Sequence, residues 1–177
     1  MQKITFILLI CVLLISCKSA KSPNIITKKK DQDKSITIKP KIIKQGTTNY
    51  DVISNIVNSA KEYNGVRYKY GGTTAKGMDC SGLICTAFNS ENIKLPRTSL
   101  AMSKEGSAID LQNVRKGDLL FFQTNKNRKQ VNHVGLVVES LPGLVEFIHS
   151  TSSKGVIISN LNQSYWSLAF FQARRIL

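Results

Sequence analysis

The sequence Asp79-Cys80-Ser81-Gly82 opens an apolar segment with helical spacing, and this segment organises the fold. The spacing predicts a helix from Cys80 to about Asn89, with Asp79 at the N-cap position. A cysteine in the first turn of a helix faces unpaired N–H groups and the positive end of the helix dipole, which lower its pKa. Gly82 is expected to leave space beside the thiol for a substrate. Cys80 is therefore a candidate nucleophile, although free cysteines are also common as small buried hydrophobic residues.

The sequence contains two histidines, His133 and His149, and each lies in a segment with strand character. If these strands pair across a tight turn at Pro142-Gly143, the two imidazoles lie near each other. One can then act as a general base while the other orients its ring. Gly135 would leave room near the base. Together with Cys80, the histidines predict nucleophilic catalysis.

The same residue types are compatible with other chemistry. Cys80, His133, His149 and Asp79 could hold Zn²⁺, but no two of them have CxxC or HxxxH spacing. We therefore expect no metal ion and no other cofactor. Cys80 and Cys85 lie five positions apart on one predicted helix and point in different directions, so both are expected to be free thiols.

The order of the predicted elements indicates an α+β fold. A first helix is predicted after Thr48, ending at Asn64-Gly65, and a short helix from Ser99 to Glu105. Segments rich in β-branched and aromatic residues predict five strands: Asp118 to Phe122, Val131 to Glu139, Leu144 to His149, Val156 to Ser159 and Ala169 to Ile176. Helices followed by strands with short connections favour an antiparallel sheet in one domain, residues 49–177.

The N-terminus has the pattern of a lipoprotein signal. Lys3 precedes an apolar run from Ile4 to Ile15, which is too short to span a bilayer comfortably. Leu14-Ile15-Ser16-Cys17 resembles a bacterial lipobox, which implies removal of residues 1–16 and lipidation of Cys17. The alternatives are an ordinary signal peptide or a short membrane anchor. We expect a cell-envelope protein that is lipid-anchored to a membrane, namely the outer membrane on its periplasmic side.

The positive charge is concentrated beside this signal. The chain has 25 Lys and Arg against 11 Asp and Glu, and residues 18–48 hold nine lysines and two acids. With Cys17, this segment (residues 17–48) is predicted to be a flexible basic tether. Residues 49–177 hold 15 basic and nine acidic residues, a net charge of 15 − 9 = +6. They show no basic stripe interleaved with aromatic residues, so we expect no nucleic-acid partner.

Several motifs in order resemble one family of enzymes. Tyr68-Lys69-Tyr70-Gly71-Gly72 followed by the segment from Lys76 to Leu83 resembles the nucleophile region of the NlpC-type cell-wall cysteine peptidases. Further matching segments follow in the family's order: Leu95 to Ser99, Gly117 to Phe122, His133 to Val137 and Phe147 to Ser150. The matches extend through nearly all of residues 50–177.

The resemblance implies a papain-like α+β fold, with N-terminal helices packed on a central antiparallel sheet of five to six strands. It implies Cys80 as nucleophile, His133 as base and His149 as the residue that orients it. It also implies that Tyr68 lies near the thiol, where its hydroxyl and the Cys80 N–H could hold an oxyanion.

The implied substrate is a peptidoglycan stem peptide. Asp79 and Ser81 would face the stem peptide. Asp79 would either bind a free amine of that peptide or serve only as a helix cap. The implied reaction is hydrolysis of an amide, first of all the bond between γ-D-glutamate and a diamino acid. The alternatives are a DD-endopeptidase that cuts cross-links and a catalytically silent module that tethers the wall. We expect a monomer whose partners are stem peptides and, through Cys17, the membrane.

Overall fold

The computed structural model describes residues 48–125, 127 and 129–177 of the chain. The predicted signal peptide, Cys17 and residues 17–47 of the predicted tether lie outside the described residues. Within the described part, no helix is both long and apolar enough to cross a membrane.

Helix α1, Asn49–Glu62, begins where the sequence predicts. The Thr48 hydroxyl accepts a hydrogen bond from the Asp51 N–H, and the Asp51 carboxylate accepts one from the Thr48 N–H in a capping box. Its buried face is Ile56, Val57 and Ala60. The chain turns away at Gly65, whose positive φ of 85° suits glycine.

Helix α2, Cys80–Asn89, is the predicted nucleophile helix. Asp79 caps it by accepting a hydrogen bond of 2.7 Å from the Gly82 N–H. Its apolar residues are buried in the core: Leu83, Ile84, Ala87 and Phe88. The predicted N-cap and helix bounds are confirmed.

The strands form the antiparallel sheet that the order of elements predicts. The remaining elements are β1 (Thr73–Thr74), β2 (Gly77–Met78), α3 (Ser99–Met102), β3 (Ser107–Ile109), a 3₁₀ turn (Leu111–Asn113), β4 (Leu119–Phe122), β5 (His133–Leu141), β6 (Leu144–Thr151), β7 (Gly155–Asn160), α4 (Ser164–Ala169) and β8 (Phe170–Arg175). Strands β1 and β2 pair as a small hairpin, and the other six form one sheet in the order β3-β8-β4-β5-β6-β7. Every pair in this sheet is antiparallel.

The hairpin of β5 and β6 brings the two histidines together. Leu141 pairs with Leu144 across the two-residue turn Pro142-Gly143, where Gly143 has φ of 76°. Further along, Leu136 pairs with Ile148, so the histidine ends of both strands lie side by side. The predicted hairpin is confirmed.

One predicted helix is too long. The segment predicted as Ser99 to Glu105 is helical only to Met102. The Arg174 guanidinium donates hydrogen bonds to the carbonyls of residues 104–106, which are therefore held in a turn against β8. Gly106 follows with φ of 63°, and a Cβ there would collide with the Arg175 carbonyl.

Four elements are absent from the sequence prediction: the β1–β2 hairpin, edge strand β3, the 3₁₀ turn and helix α4. The strands have two or three residues, too few for an alternating pattern to show. The last predicted strand, Ala169 to Ile176, starts one residue later because Ala169 ends α4. Helix α4 has no side-chain cap and is anchored instead by the buried Trp166.

The sheet has an apolar core on each face. Helices α1 and α2 cover one face together with Leu119, Phe121 and Leu136. On the other face, Phe122 and Phe147 pack with Trp166 of α4. The arrangement is α+β with the start of α2 packed beside β5 and β6.

Candidate active site

The start of α2 is fixed to the sheet next to Cys80. The buried Ser150 hydroxyl of β6 donates a hydrogen bond of 2.8 Å to the Met78 carbonyl. The same carbonyl accepts from the Lys69 N–H, and the Asp79 N–H donates to the Gly72 carbonyl. The two residues immediately before Cys80 are thus bound to the sheet through Ser150 and to the preceding loop through Lys69 and Gly72.

The Cys80 thiol is more protected than the helix position predicts. Burial raises its pKa above the ordinary 9.0, with a smaller increase from the nearby Asp79 carboxylate. The backbone N–H groups of Val134, Ser81 and Cys80 itself act in the opposite direction. The N–H groups of the helix start lower the pKa of Cys80 as predicted, but desolvation outweighs them, so the net shift is upward. Cys80 therefore rests as a thiol and needs a base.

The two histidines form a hydrogen-bonded pair beneath the cleft. Nε2 of His133 lies 2.9 Å from Nδ1 of His149, with the ring planes perpendicular. Nε2 of His149 lies 2.8 Å from the Ser159 hydroxyl of β7. His149 is fully buried and His133 is 9% exposed. The predicted proximity of the histidines is confirmed.

Burial keeps both imidazoles neutral at neutral pH. Desolvation lowers the pKa of His133 to about 4. Desolvation and the neighbouring His133 lower the pKa of His149 to about 3. The indole of Trp166 stacks on His133, with ring centroids 5.3 Å apart and an interplanar angle of 22°. A neutral imidazole can accept a proton, so His133 has the protonation state of a base.

Cys80, His133 and Tyr68 line one cavity of about 520 Å³. Among the described residues, no hydrogen bond joins the thiol to His133, whose Nδ1 also has no side-chain hydrogen-bond partner. Such contacts are often loose before substrate binds. Burial, followed by the nearby Cys80 and Asp79, raises the pKa of Tyr68, so its hydroxyl keeps its proton and can donate a hydrogen bond.

On the other side of Cys80 lies a charged group. Both N–H₂ groups of Arg97 bind the Asp79 carboxylate, at 2.9 and 2.7 Å, and one also donates to the Ser81 hydroxyl at 2.8 Å. The Gly71 N–H donates to the same carboxylate. These four residues line a second cavity of about 320 Å³ that also reaches Cys80. Asp79 is thus a helix cap, and it is already paired with a cation.

Two glycines have other roles than the sequence suggests. A Cβ on Gly82 would lie 2.0 Å from the Gly72 carbonyl oxygen, so this glycine admits the preceding turn rather than a substrate. A Cβ on Gly135 would lie 2.5 Å from the Phe147 ring, so Gly135 makes room for the core. Both expectations of open space are wrong because the neighbouring chain fills it.

Residues 65–175 match the NlpC/P60 family. The chain belongs to the NlpC/P60 family. It is 37% identical over 130 residues to the Escherichia coli K12 murein DD-endopeptidase MepS/murein LD-carboxypeptidase, covering 73% of this chain and 65% of that protein. It is 44% identical over 124 residues to the Bacillus subtilis gamma-DL-glutamyl hydrolase, covering 68% of this chain and 29% of that protein.

Solved NlpC/P60 structures share the fold. An NlpC/P60 family protein from Bacillus cereus superposes with a TM-score of 0.64 at 32% identity, covering 71% of this chain and 40% of that one. The papain-like α+β fold and the family resemblance are therefore confirmed.

The sequence alone does not predict the contacts of three residues of this NlpC/P60 site, Arg97, Ser159 and Trp166; Trp166 is visible there only in the family-like pair Tyr165-Trp166. Arg97 lies 18 positions from its partner Asp79, and the sequence shows it only within the family-like segment Leu95 to Ser99. Ser159 lies in a predicted strand, but its contact with His149 depends on the strand register. Both cysteines of the described residues are free, as predicted. No three His, Cys, Asp or Glu side chains of the described residues are grouped to hold a metal ion.

Proposed function

We propose that this domain is a cysteine peptidase that hydrolyses amide bonds in peptidoglycan stem peptides. Cys80 is the nucleophile, His133 the base and His149 the residue that orients the base. The observation that carries the proposal is the common cavity of Cys80 and His133, backed by the buried His133–His149 pair. The similar murein endopeptidase and glutamyl hydrolase support the substrate class.

The reaction follows from the protonation states. As substrate binds, Nδ1 of His133 takes the thiol proton and Sγ of Cys80 attacks the amide carbonyl. The oxyanion accepts hydrogen bonds from the Cys80 N–H and the Tyr68 hydroxyl. His133 then gives its proton to the leaving amine, which leaves a thioester. Water, deprotonated by His133, hydrolyses the thioester and restores the thiol.

We propose the γ-D-glutamyl bond to the diamino acid as the first candidate for cleavage. The 44% identity with a gamma-DL-glutamyl hydrolase supports this choice, while the similarity to MepS supports a cross-link as the alternative. A free amine of the stem peptide would meet Asp79 and Ser81, and would have to share the carboxylate with Arg97.

We further propose that Cys17 carries lipid and anchors a monomeric enzyme in the cell envelope, at the outer membrane facing the periplasm. The support is the sequence Leu14-Ile15-Ser16-Cys17. Mass spectrometry of the N-terminal peptide from membranes should show acyl chains on Cys17. Substitution Cys17→Ser should release the protein from the membrane fraction, and retention of the variant there would contradict lipid anchoring.

The decisive experiment compares full-length protein with two variants on purified peptidoglycan, with released peptides identified by mass spectrometry. Cys80→Ala should reduce release by at least about 10³-fold, since the nucleophile is lost. Cys85→Ala is the matched control: it removes the other thiol of α2, which points to the carbonyls of Leu95 and Pro96, and should retain activity.

The released peptides identify which bond of the stem peptide is cleaved. Fragments ending at D-glutamate would establish the γ-D-glutamyl cut, whereas loss of cross-linked dimers would move it to the bridge. Wall binding without any release by the native protein would instead support the tethering module.

A further inference from the structure

The hydrogen-bond chain below the cleft continues one residue beyond the histidine pair. Ser159 lies on β7, is 6% exposed, and its hydroxyl is 2.8 Å from Nε2 of His149. It reaches this position because Phe147 pairs with Ser159 and His149 with Ile157, which puts Ser159 and His149 on one face of the sheet. The histidine pair thus ends in a hydroxyl, which can donate or accept.

The direction of the Ser159 hydrogen bond is linked to the tautomer of His133. Each neutral imidazole carries one N–H, and Nε2 of His133 and Nδ1 of His149 share one hydrogen between them. If Ser159 accepts from Nε2–H of His149, then Nδ1 of His149 accepts from His133, whose own Nδ1 is free of hydrogen. If Ser159 donates, the order reverses, and Nδ1 of His133 carries the hydrogen and cannot act as a base.

Only one direction suits the whole reaction. After His133 has taken the thiol proton, both its ring nitrogens carry hydrogen, so Nδ1 of His149 must accept. His149 then carries its hydrogen on Nε2 and needs an acceptor there. Ser159 also lines the 520 Å³ cavity, so its own hydrogen can be donated into that cavity. With Ser159 as acceptor, no hydrogen bond has to reverse during catalysis.

We propose that Ser159 is a positioning residue that accepts a hydrogen bond from His149 and thereby holds His133 in the tautomer that serves as base. This inference rests on the proposed peptidase function. It extends the Cys80–His133–His149 arrangement by a hydroxyl contributed from a third strand.

Among the described residues, no charged side chain takes the place of Ser159 at Nε2 of His149. Strand β4 contributes Phe122 and helix α4 contributes Trp166, neither of which titrates. Besides the histidines, the titratable groups that line the 520 Å³ cavity are the Cys80 thiol, the phenols of Tyr68 and Tyr165, and the Lys154 ammonium. None of them hydrogen-bonds His149, whose ring nitrogens contact His133 and Ser159. The acceptor at Nε2 of His149 is therefore a neutral hydroxyl. The direction of this hydrogen bond, and not a charge on Ser159, sets the tautomer of His133.

The first test measures the tautomers without using activity. In uniformly ¹⁵N-labelled native protein at neutral pH, ring ¹⁵N shifts of both histidines should show hydrogen on Nε2 and none on Nδ1. Hydrogen on Nδ1 of His133 would overturn the proposal, even if the enzyme proved active. A correct tautomer with no hydrolysis of peptidoglycan would instead overturn the proposed function.

The second test uses variants and a pH profile. Ser159→Ala should lower kcat/KM by about 10- to 100-fold, the effect of losing a hydrogen bond to a group that becomes charged. It should also move the acid limb of the profile, where kcat/KM falls as His133 is protonated, to lower pH. Without Ser159 as acceptor, His149 stabilises the His133 imidazolium less well. Ser159→Thr, which keeps the hydroxyl, should restore the limb and most of the rate.

The matched control is Ser140→Ala. Ser140 donates a 2.7 Å hydrogen bond to the Val114 carbonyl in the same sheet, away from the histidines. It should leave the pH profile unchanged. A Ser159→Ala variant that lowers the rate without moving the acid limb, as a general loosening of the sheet would, overturns the positioning role.

Discussion

The two sides of the cleft differ in charge: one holds an ion pair, and the other is neutral. We call Asp79, Ser81 and Arg97 the helix wall, and His133, His149, Ser159 and Trp166 the sheet wall. The helix wall holds a full ion pair, with the Arg97 side chain 42% exposed and Asp79 10% exposed. The sheet wall is buried and neutral at neutral pH, since burial lowers the pKa of both histidines.

The difference suggests a division of labour around Cys80. Fixed charges next to solvent can orient a polar substrate at small desolvation cost. A proton acceptor needs a neutral form, and burial supplies it. We therefore expect changes in the sheet wall to affect kcat and changes in the helix wall to affect KM.

The largest effect should come from replacing His133, the proposed base. His133→Gln keeps a polar side chain but cannot accept the thiol proton, and should lower kcat by about 10³-fold. Hydrolysis of isolated muropeptides at saturating concentration measures this change. A change confined to KM would mean that His133 binds substrate and that the sheet wall does no proton chemistry.

As the pH falls, the contribution of the sheet wall to the free energy of unfolding should be lost before that of the helix wall. The pKa of His133 is about 4 in the fold and 6.5 when unfolded, so the unfolded chain binds more protons between these values. The contribution of neutral His133 to stability is fully present above pH 6.5. It is lost as the pH falls towards 4, at about 1.4 kcal/mol per pH unit within that interval.

Urea unfolding at several pH values measures this dependence. His133→Gln should reduce the slope of the curve between pH 6.5 and 4 to about half, because buried His149, whose pKa is about 3, still contributes over this interval. Arg97 hydrogen bonds lower the pKa of Asp79 below 3.8 despite its partial burial, so the helix wall loses stability only in stronger acid. If the free energy of unfolding depended on pH equally in the variant and the native protein, His133 would not be a buried, neutral imidazole.

The acid behaviour also marks the limit of what the sequence can predict. The helix start at Cys80 and the hairpin at Pro142-Gly143 depend on neighbouring residues and are visible in the sequence. The raised pKa of Cys80 depends on how deeply the sheet buries the thiol, and no local pattern contains that depth. The fold was predictable, but the protonation state of its proposed nucleophile was not.

Long-range partners were missed for a related reason. Ser159 reaches His149 only through the register of β6 and β7, and Arg97 reaches Asp79 across a connecting loop. The pair Tyr165-Trp166 fits the family, but the helix that carries Trp166 was not predicted, because it has only six residues and no side-chain cap. The family-like motifs point to the proposed triad of Cys80, His133 and His149, since its members lie within those motifs, but they do not give its supporting contacts.

A matched pair of substitutions should separate function from stability. Asp79→Asn and Asp118→Asn each remove the charge from a carboxylate that binds an arginine through two hydrogen bonds. Asp118 is only 2% exposed and its partner Arg175 is 22% exposed. We expect about 3 kcal/mol of destabilisation at Asp118 and about 1 kcal/mol at Asp79, where asparagine still caps the helix.

Activity should show the reverse order. Asp79→Asn should raise KM by about tenfold, the effect of one lost charged hydrogen bond, whereas folded Asp118→Asn should keep its KM. Steady-state kinetics and urea unfolding on the same preparations measure both effects. Equal KM values would reduce the helix wall to a structural element.

The smallest effect should come from Arg97→Lys. Lysine keeps the positive charge but cannot bind the Asp79 carboxylate and the Ser81 hydroxyl with one planar group. Because the pair is partly solvent-exposed, the variant should lose no more than about 1 kcal/mol of stability. Its KM should rise less than that of Asp79→Asn, since the carboxylate remains. An increase larger than in Asp79→Asn would mean that Arg97 itself contacts the substrate, and the charge that orients the stem peptide would then be the cation rather than the anion.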